Sequence, residues 1–259
     1  MTKVEFLSEP SSVSMADEWF ELATKDHFWM KWRQAVLLRQ LTSAGLKPTN
    51  ALEIGCGHGV AREMLEHDLD IRVDGCDLNL KALEMANPGK GQLFVYDIFD
   101  RNPAMLGAYD LVLLMDVIEH IDSDLAFLQA ALSHLKPGGI VAINVPAHMS
   151  LYGKYDEVAG HKRRYSAANI ESLFRAAKVK TIRIVEWGFL LLPLLFVRKL
   201  MLRRVSKEDA IRTGFEPSGP FVASVCENLR RLETSLPFSL PLGSSLLALG
   251  QLGVEGVAR

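Results

Sequence analysis

The chain has 259 residues, 49% apolar and 23% charged, with 29 basic residues against 31 acidic and a net charge of −2. This composition allows one large α/β domain or two small ones, supplies a core, and excludes both intrinsic disorder and a strongly basic nucleic-acid binder. Three scattered cysteines, Cys56, Cys76 and Cys226, are too few for a disulfide scaffold and too dispersed for a zinc site, which points to a reducing, cytoplasmic compartment.

The opening stretch, Met1 to Ala16, is polar and mixed, so no secretory leader is expected there. Trp19 to Leu41 reads as one or two amphipathic helices, with Phe20, Phe28, Trp29, Trp32, Val36 and Leu41 at mostly helical spacing, ended by Gly45 and Pro48. A strand–helix alternation follows. Ala51 to Ile54, Arg72 to Cys76 and Leu93 to Tyr96 read as strands, separated by helices over Val60 to His67 and Leu78 to Ala86. Leu111 to Met115 is an unbroken apolar run of the kind buried on both faces of a parallel sheet. Asp122 to Asp124 caps a helix with Leu125, Leu128, Leu132 and Leu135 facing inward. Pro137-Gly138-Gly139 then turns the chain into a strand over Ile140 to Val145. Ser166 caps a helix to Lys178, and Thr181 to Val185 is the next strand. The repeated βα pattern predicts a doubly wound parallel sheet with its ligand at the carboxyl ends of the strands.

The rhythm then breaks. Gly188 to Val197 is a ten-residue apolar run that includes Pro193, whereas a membrane-spanning helix needs about 20 residues. Arg198, Lys199, Arg203 and Arg204 follow it. A helix near Phe221 to Leu232 and a strand-like segment over Ser244 to Leu249 close the pattern. The expected organisation is an N-terminal helical cap over 1–44 and one domain over 45–259, with 189–241 inserted between the last two strands.

Functional residues concentrate after the first strand of the alternation, in Glu53-Ile54-Gly55-Cys56-Gly57-His58-Gly59. Alternate glycines let the backbone turn tightly and approach a ligand where a Cβ would collide. The dinucleotide fingerprint would place its third glycine at position 60, which is Val60, and the Gly-Lys-Ser/Thr of a P-loop is absent. Asp77, at the end of the second strand of the alternation, can accept hydrogen bonds from both ribose hydroxyls, and Leu78 can lie against a purine. At the end of the third, Asp97 can accept from an exocyclic amine while the main chain at Ile98 meets a ring nitrogen. Together these residues suit a nucleoside that carries a positively charged centre and no phosphate.

In these motifs the chain resembles the class I S-adenosylmethionine-dependent methyltransferases. Glu53 to Gly59 matches the glycine-rich first motif, Asp77 the ribose acid, Asp97-Ile98 the adenine contacts, and Asp110 to His120 and Leu135 to Val145 the fourth and fifth strands. The resemblance covers about residues 50–250. It implies a Rossmann-like, seven-stranded doubly wound sheet whose last strand, Ser244 to Leu249, is antiparallel. It also implies that S-adenosylmethionine is bound, and S-adenosylhomocysteine released, by Glu53, Gly55, Cys56, Gly57, Gly59, Asp77, Leu78, Asp97, Ile98 and Met115. Arg33 from the N-terminal helices is placed at the methionyl carboxylate. Tyr155-Asp156-Glu157, Gly160 to Ser166 and Pro241 to Ser245 are similar to a bacterial subgroup that tailors polysaccharides, glycolipids or natural products. The Glu119-His120 pair resembles ubiquinone-type O-methyltransferases.

On this reading the acceptor is a small molecule or a lipid- or saccharide-linked one, methylated on oxygen, with nitrogen or carbon as alternatives. A non-catalytic cofactor-binding scaffold is the rival from another class. His161, in a polar loop on the substrate side, is the candidate general base, and His120 is either a second catalytic group or a support for a neighbouring loop. Arg163, Arg164 and Tyr165 are the candidate substrate contacts, with Arg163 and Arg164 able to bind an anion or to salt-bridge within the fold. No metal is expected, although Asp116 and Asn144 would be the ligands of a metal-assisted enzyme. Nucleic acid is not expected as a partner, because the segment Asp116-Val117-Ile118-Glu119 and the chain as a whole lack the motifs of base methylation. The basic-flanked apolar stretch 189–204 reads as a substrate lid, a dimer face or a helix lying in a membrane interface.

Overall fold

The strength of the apolar runs decides the architecture. The computed structural model describes residues 3–11, 20, 22–206, 209–215 and 219–254. Trp19, together with Met1 and Ala16 that bound the polar opening, lies outside them. Eight strands form one sheet: β1 (Val4–Phe6), β2 (Asn50–Ile54), β3 (Arg72–Asp77), β4 (Leu93–Val95), β5 (Tyr109–Met115), β6 (Leu135–Pro146), β7 (Val179–Trp187) and β8 (Ser245–Leu252). Their spatial order is β1-β4-β3-β2-β5-β6-β8-β7. Neighbours are parallel except β8, which runs antiparallel to both β6 and β7. This is the expected Rossmann-like doubly wound fold with an antiparallel last strand.

The eighth strand is the correction to a seven-stranded expectation. Val4–Phe6 pairs in parallel with Leu93–Val95 at the sheet edge, and three residues on an edge carry too little alternation to be read as a strand.

Side chains alternate between two cores. Leu52, Val112, Leu114, Val141 and Ile143 point to one face, where they meet α4 (Asp124–Leu132) and α6 (Ala167–Ala176) through Leu128, Ile170 and Phe174. Ala51, Leu111, Leu113 and Ala142 point to the other, against α1 (Phe28–Ser43) and α2 (Val60–Leu69) through Trp32, Leu37 and Leu65. Burial of this kind contributes roughly 25 cal/mol per Å² of apolar surface, which explains why the central strands are apolar throughout.

Ser123, within the expected capping stretch Asp122 to Asp124, is the N-cap of α4, whereas Leu135 belongs to β6 instead of the helix. Glu53 at the end of β2 accepts from the Arg62 main-chain N–H at 2.9 Å, so a strand-end carboxylate satisfies the first turn of α2. The other helices are α3 (Leu80–Met85), α5 (Lys154–Val158), α7 (Leu192–Leu202), α8 (Ala210–Phe215) and α9 (Pro220–Ser235). The last three lie between β7 and β8. Among the described residues no helix is long and apolar enough to cross a membrane.

Leu113 is fully buried at the centre of this sheet. Leu113→Ala is expected to lower unfolding stability by about 2–5 kcal/mol, read as a reduced urea midpoint at unchanged m-value.

Candidate active site

Two cavities open beside the carboxyl ends of the strands, and they share Asp116. The smaller, about 220 Å³, is lined by Glu53, Gly55, Cys56, Gly57, His58, Asp77, Met115, Val117, His120 and, from the N-terminal segment, Phe20, Met30 and Arg33. The larger, about 440 Å³, is walled by Leu191, Leu194, Leu195, Val197, Met201, Phe28, Trp29, Phe215 and Val222, with Glu119, His161, Arg164 and Arg198 as polar members.

The glycine loop is built as the sequence requires. Gly55, Gly57 and Gly59 all have positive φ, at 70°, 53° and 75°. A Cβ on Gly55 would meet Val117 Cγ2 at 2.8 Å, and one on Gly57 would meet Phe20 Cε1 at 2.8 Å. Asp77 folds back over this loop, accepting from the main-chain N–H of Gly57 and of Asn79, each at 2.8 Å. Burial pushes the Asp77 carboxyl up against those hydrogen bonds. Burial also pushes Glu53 up to about 7, with Arg33, the Arg62 N–H and the Arg62 charge opposing it. Cys56 and Cys76 are buried and their thiols are raised well above the usual range by that burial, so they pack rather than react.

Arg33 donates to Asp116 Oδ2 at 2.6 Å, and Asn144 donates to Asp116 Oδ1 at 2.7 Å. Trp187 Nε1 in turn donates to Asn144 Oδ1 at 3.0 Å. Asp116 and Asn144 are therefore engaged with each other and with organic donors.

The remaining sequence-named residues divide into those the fold brings to the cavities and those it uses elsewhere. Leu78, Asp97 and Ile98 do not line either cavity. The Asp97 carboxylate accepts from Phe99 N–H, its own N–H donates to Ser8 Oγ, and the Ile98 side chain is buried in the core. Ser11 N–H donates to the Leu78 carbonyl, so the segment after β1 covers this edge, which the sequence reading left open. Arg163 pairs with Asp124 at 3.2 Å and with the Asp122 carbonyl at 2.9 Å. The Tyr165 hydroxyl donates toward Asp124 and the Ile118 carbonyl from a buried position. Those two fasten the loop to α4. Arg164 reaches the larger cavity, but its guanidinium is held by Asp156 at 2.8 Å and by the Ala147 carbonyl at 3.2 Å.

His120 and His161 meet where the cavities adjoin, their rings perpendicular with centroids 4.8 Å apart. His161 Nδ1 lies 2.9 Å from Asp156 Oδ1, which leaves Nε2 as the nitrogen not held by that carboxylate. Asp156 was quoted in the sequence only as part of a motif; its role as holder of both His161 and Arg164 has no periodic signal. Burial lowers the His120 imidazole to about 4, with His161 acting in the same direction. His27 is also lowered to about 4 by burial; its ring stacks on Phe215 at 4.2 Å.

Glu119 is fully buried at this junction, and neither carboxylate oxygen has a hydrogen-bond partner among the described residues. Burial, reinforced by Asp116, raises its carboxyl well above the usual range. Glu119, His120 and His161 each offer a ligand atom within 4.8 Å of the others, a carboxylate–imidazole set able to hold a divalent ion.

The raised Glu119 has a stability consequence. The folded chain keeps a proton that the unfolded chain releases above the ordinary carboxylate range, so the wild type loses stability as pH rises through that range. Glu119→Gln removes the loss. In chelator-containing buffer its urea midpoint should gain on the wild type progressively as pH rises above the ordinary carboxylate range; a pH-independent difference would sink this account.

A family model described as a methyltransferase domain matches residues 25–182. A ubiquinone biosynthesis O-methyltransferase of Burkholderia ambifaria is 34% identical over 107 residues, which is 38% of this chain and 44% of that protein. Another, of Parvibaculum lavamentivorans, is 30% identical over 146 residues, or 50% and 58% of the two chains. The chain thus spans about half the length of the curated relatives it matches. Among solved structures, the N-methyltransferase NodS from Bradyrhizobium japonicum WM9, in complex with S-adenosyl-L-homocysteine, shares the fold with a TM-score of 0.52 and 17% identity, covering 92% of this chain and 94% of that one. With the family model matching more than half its length, the chain belongs to the S-adenosylmethionine-dependent methyltransferases.

Proposed function

We propose that the protein transfers a methyl group from S-adenosylmethionine to an oxygen of a small, largely apolar acceptor by in-line displacement. The observation that carries this reading is the pair of adjoining cavities, one acidic and glycine-lined, the other apolar, with His161 where they meet. The curated relatives named ubiquinone biosynthesis O-methyltransferase support oxygen as the acceptor atom.

The smaller cavity fits the cofactor. Its glycines carry the backbone through positive φ where a Cβ would collide with Val117 and Phe20, Asp77 suits the ribose hydroxyls, Glu53 suits an ammonium and Arg33 a carboxylate. The cofactor supplies a carbon already activated by a sulfonium, so alignment and exclusion of water are the protein's main contributions. The apolar walls from α1, α7 and α9 support exclusion of water, and their lining of the cavity supports the insertion over 189–241 and a helical cap that begins after β1, since Val4–Phe6 belongs to the sheet. Asp156 fixes the His161 tautomer with the proton on Nδ1, leaving Nε2 to accept a proton from the acceptor hydroxyl. Lining of the larger cavity by Leu191, Leu194, Leu195 and Val197 supports a substrate lid for 189–204.

Asp77→Ala and Gly57→Val are expected to abolish S-adenosylhomocysteine binding in calorimetry. His161→Ala should retain binding and lower turnover by about 10²–10⁴-fold, the usual worth of general acid–base help. Methyl-labelled cofactor incubated with lipid and aqueous extracts tests the acceptor: label in a lipid-soluble ether is the expected product, and label confined to amines or to aqueous products overturns the assignment.

The orphaned Glu119 carboxylate favours a second reading, in which Glu119, His120 and His161 hold a divalent cation that polarises the acceptor oxygen. Turnover that is lost to a chelator, restored by a divalent ion and absent in Glu119→Gln would carry it. Chelator-resistant turnover leaves His161 as the base.

A further inference from the structure

The larger cavity contains a cation that the fold does not neutralise. Each arginine that the sequence offered for binding has an internal partner: Arg33 pairs with Asp116, Arg163 with Asp124 and Arg164 with Asp156. Arg198, on α7, is different. Its guanidinium donates to the Gly214 carbonyl at 2.7 Å and lies 4.6 Å from the centre of the Tyr155 ring. Among the described residues it has no carboxylate within ion-pair distance.

Its neighbours deepen the imbalance. A small cavity on α7 is lined by Arg198 with Lys154, Arg164 and Lys199 and by one carboxylate, Asp156, which Arg164 already holds; the two lysines donate to main-chain carbonyls, of Val205 and Ser150. Burial disfavours the Arg198 charge, with Arg164 adding to the effect and Asp156 opposing it. A guanidinium does not escape by losing its proton. Arg198 is half-buried, and a charge held beside apolar side chains without an ion-pair partner carries a cost that an anion arriving with the ligand reduces.

We infer that the acceptor is an amphiphile carrying an oxyanion, a carboxylate or a phosphate, which Arg198 binds while the apolar body fills the cavity between Arg198 and the reacting oxygen at His161. This rests on the reading of the larger cavity as the acceptor site. Guanidinium geometry suits either oxyanion, since its forked N–H groups can donate two parallel hydrogen bonds. The apolar requirement comes from Leu191, Leu194, Leu195, Val197 and Met201.

The test uses the full chain saturated with S-adenosylhomocysteine, titrated in a calorimeter with octanoate, octyl phosphate and 1-octanol. The wild type is expected to bind at least one of the two anions about tenfold or more tightly than the alcohol, the usual scale of a hydrogen bond to a charged group. The preferred anion identifies the oxyanion. Arg198→Met should bring the anions to the affinity of octanol with S-adenosylhomocysteine affinity unchanged, and Arg198→Lys should keep part of the preference. Absence of binding by both anions, equal affinity for all three in the wild type, or an undiminished preference in Arg198→Met each overturns the inference. Loss of S-adenosylhomocysteine binding by the wild type would instead overturn the cofactor reading, so the two failures are separable.

Discussion

The carboxylate of Asp116 is the constraint on which the site depends. It follows the last residue of β5, where the chain leaves the sheet with φ of 63°, a left-handed conformation that aspartate tolerates better than most residues. One oxygen takes Arg33 from α1 and the other takes Asn144 from β6, which is itself held by Trp187 at the end of β7. Four elements are thereby locked at the point where the two cavities touch. The Arg33 charge makes this a charge-assisted contact in a half-buried setting, where loss of one partner leaves the other uncompensated. Because the same ion pair brings α1 down over the strand ends, it also brings Phe28, Trp29 and Met30 into the walls of the cavities. The N-terminal helix is part of the site's architecture rather than an appendage to it.

The central strands and the glycine loop were legible because their signals are local. An unbroken run such as Leu111 to Met115 has few alternatives to a buried strand, and glycines at 55, 57 and 59 announce a backbone that must turn with positive φ. Asp77 was legible because it ends the next strand, so sheet register alone brings its carboxylate back to Gly57. Asp97 and Ile98 show the limit of that logic. β4 ends at Val95, short of both, and Asp97 caps a turn that begins at Ile98; the segment following β1 crosses the edge and takes up the Asp97 N–H, a long-range contact with no trace in the local pattern.

The basic residues show the same limit more sharply. Arg163, Arg164 and Tyr165 stand beside His161 in sequence, and proximity made them candidates. Alternation along an extended segment, however, sends their side chains to different partners, two of them on α4. Arg198 followed a greasy run and read as an interfacial charge. Its position against Tyr155 and Gly214 comes from the packing of α7 on α8, which follows it, and on α5, which is distant from both in sequence. Asp156 is similar: five residues before His161, it holds that histidine and Arg164 with one oxygen, which only the folded loop makes possible.

The two cavities are also opposite in charge, and this bears on the chemistry proposed for them. Glu53 and Asp77 make the smaller one acidic, while Arg198 and Arg164 lie in the larger. A methyl transfer from a sulfonium to an ionising hydroxyl cancels a positive and a negative charge in the transition state. Such a reaction is helped by surroundings of low polarity, because attraction between the closing partners is less screened there than in water. The aliphatic and aromatic side chains of α1, α7 and α9 provide that surrounding, and the Tyr155 ring lies 4.6 Å from the Arg198 guanidinium and 6.3 Å from the His161 ring. An acceptor anion seated against Arg198, as inferred above, would have its own charge compensated by the guanidinium, so that the charge developing on the reacting oxygen is left to meet the sulfonium.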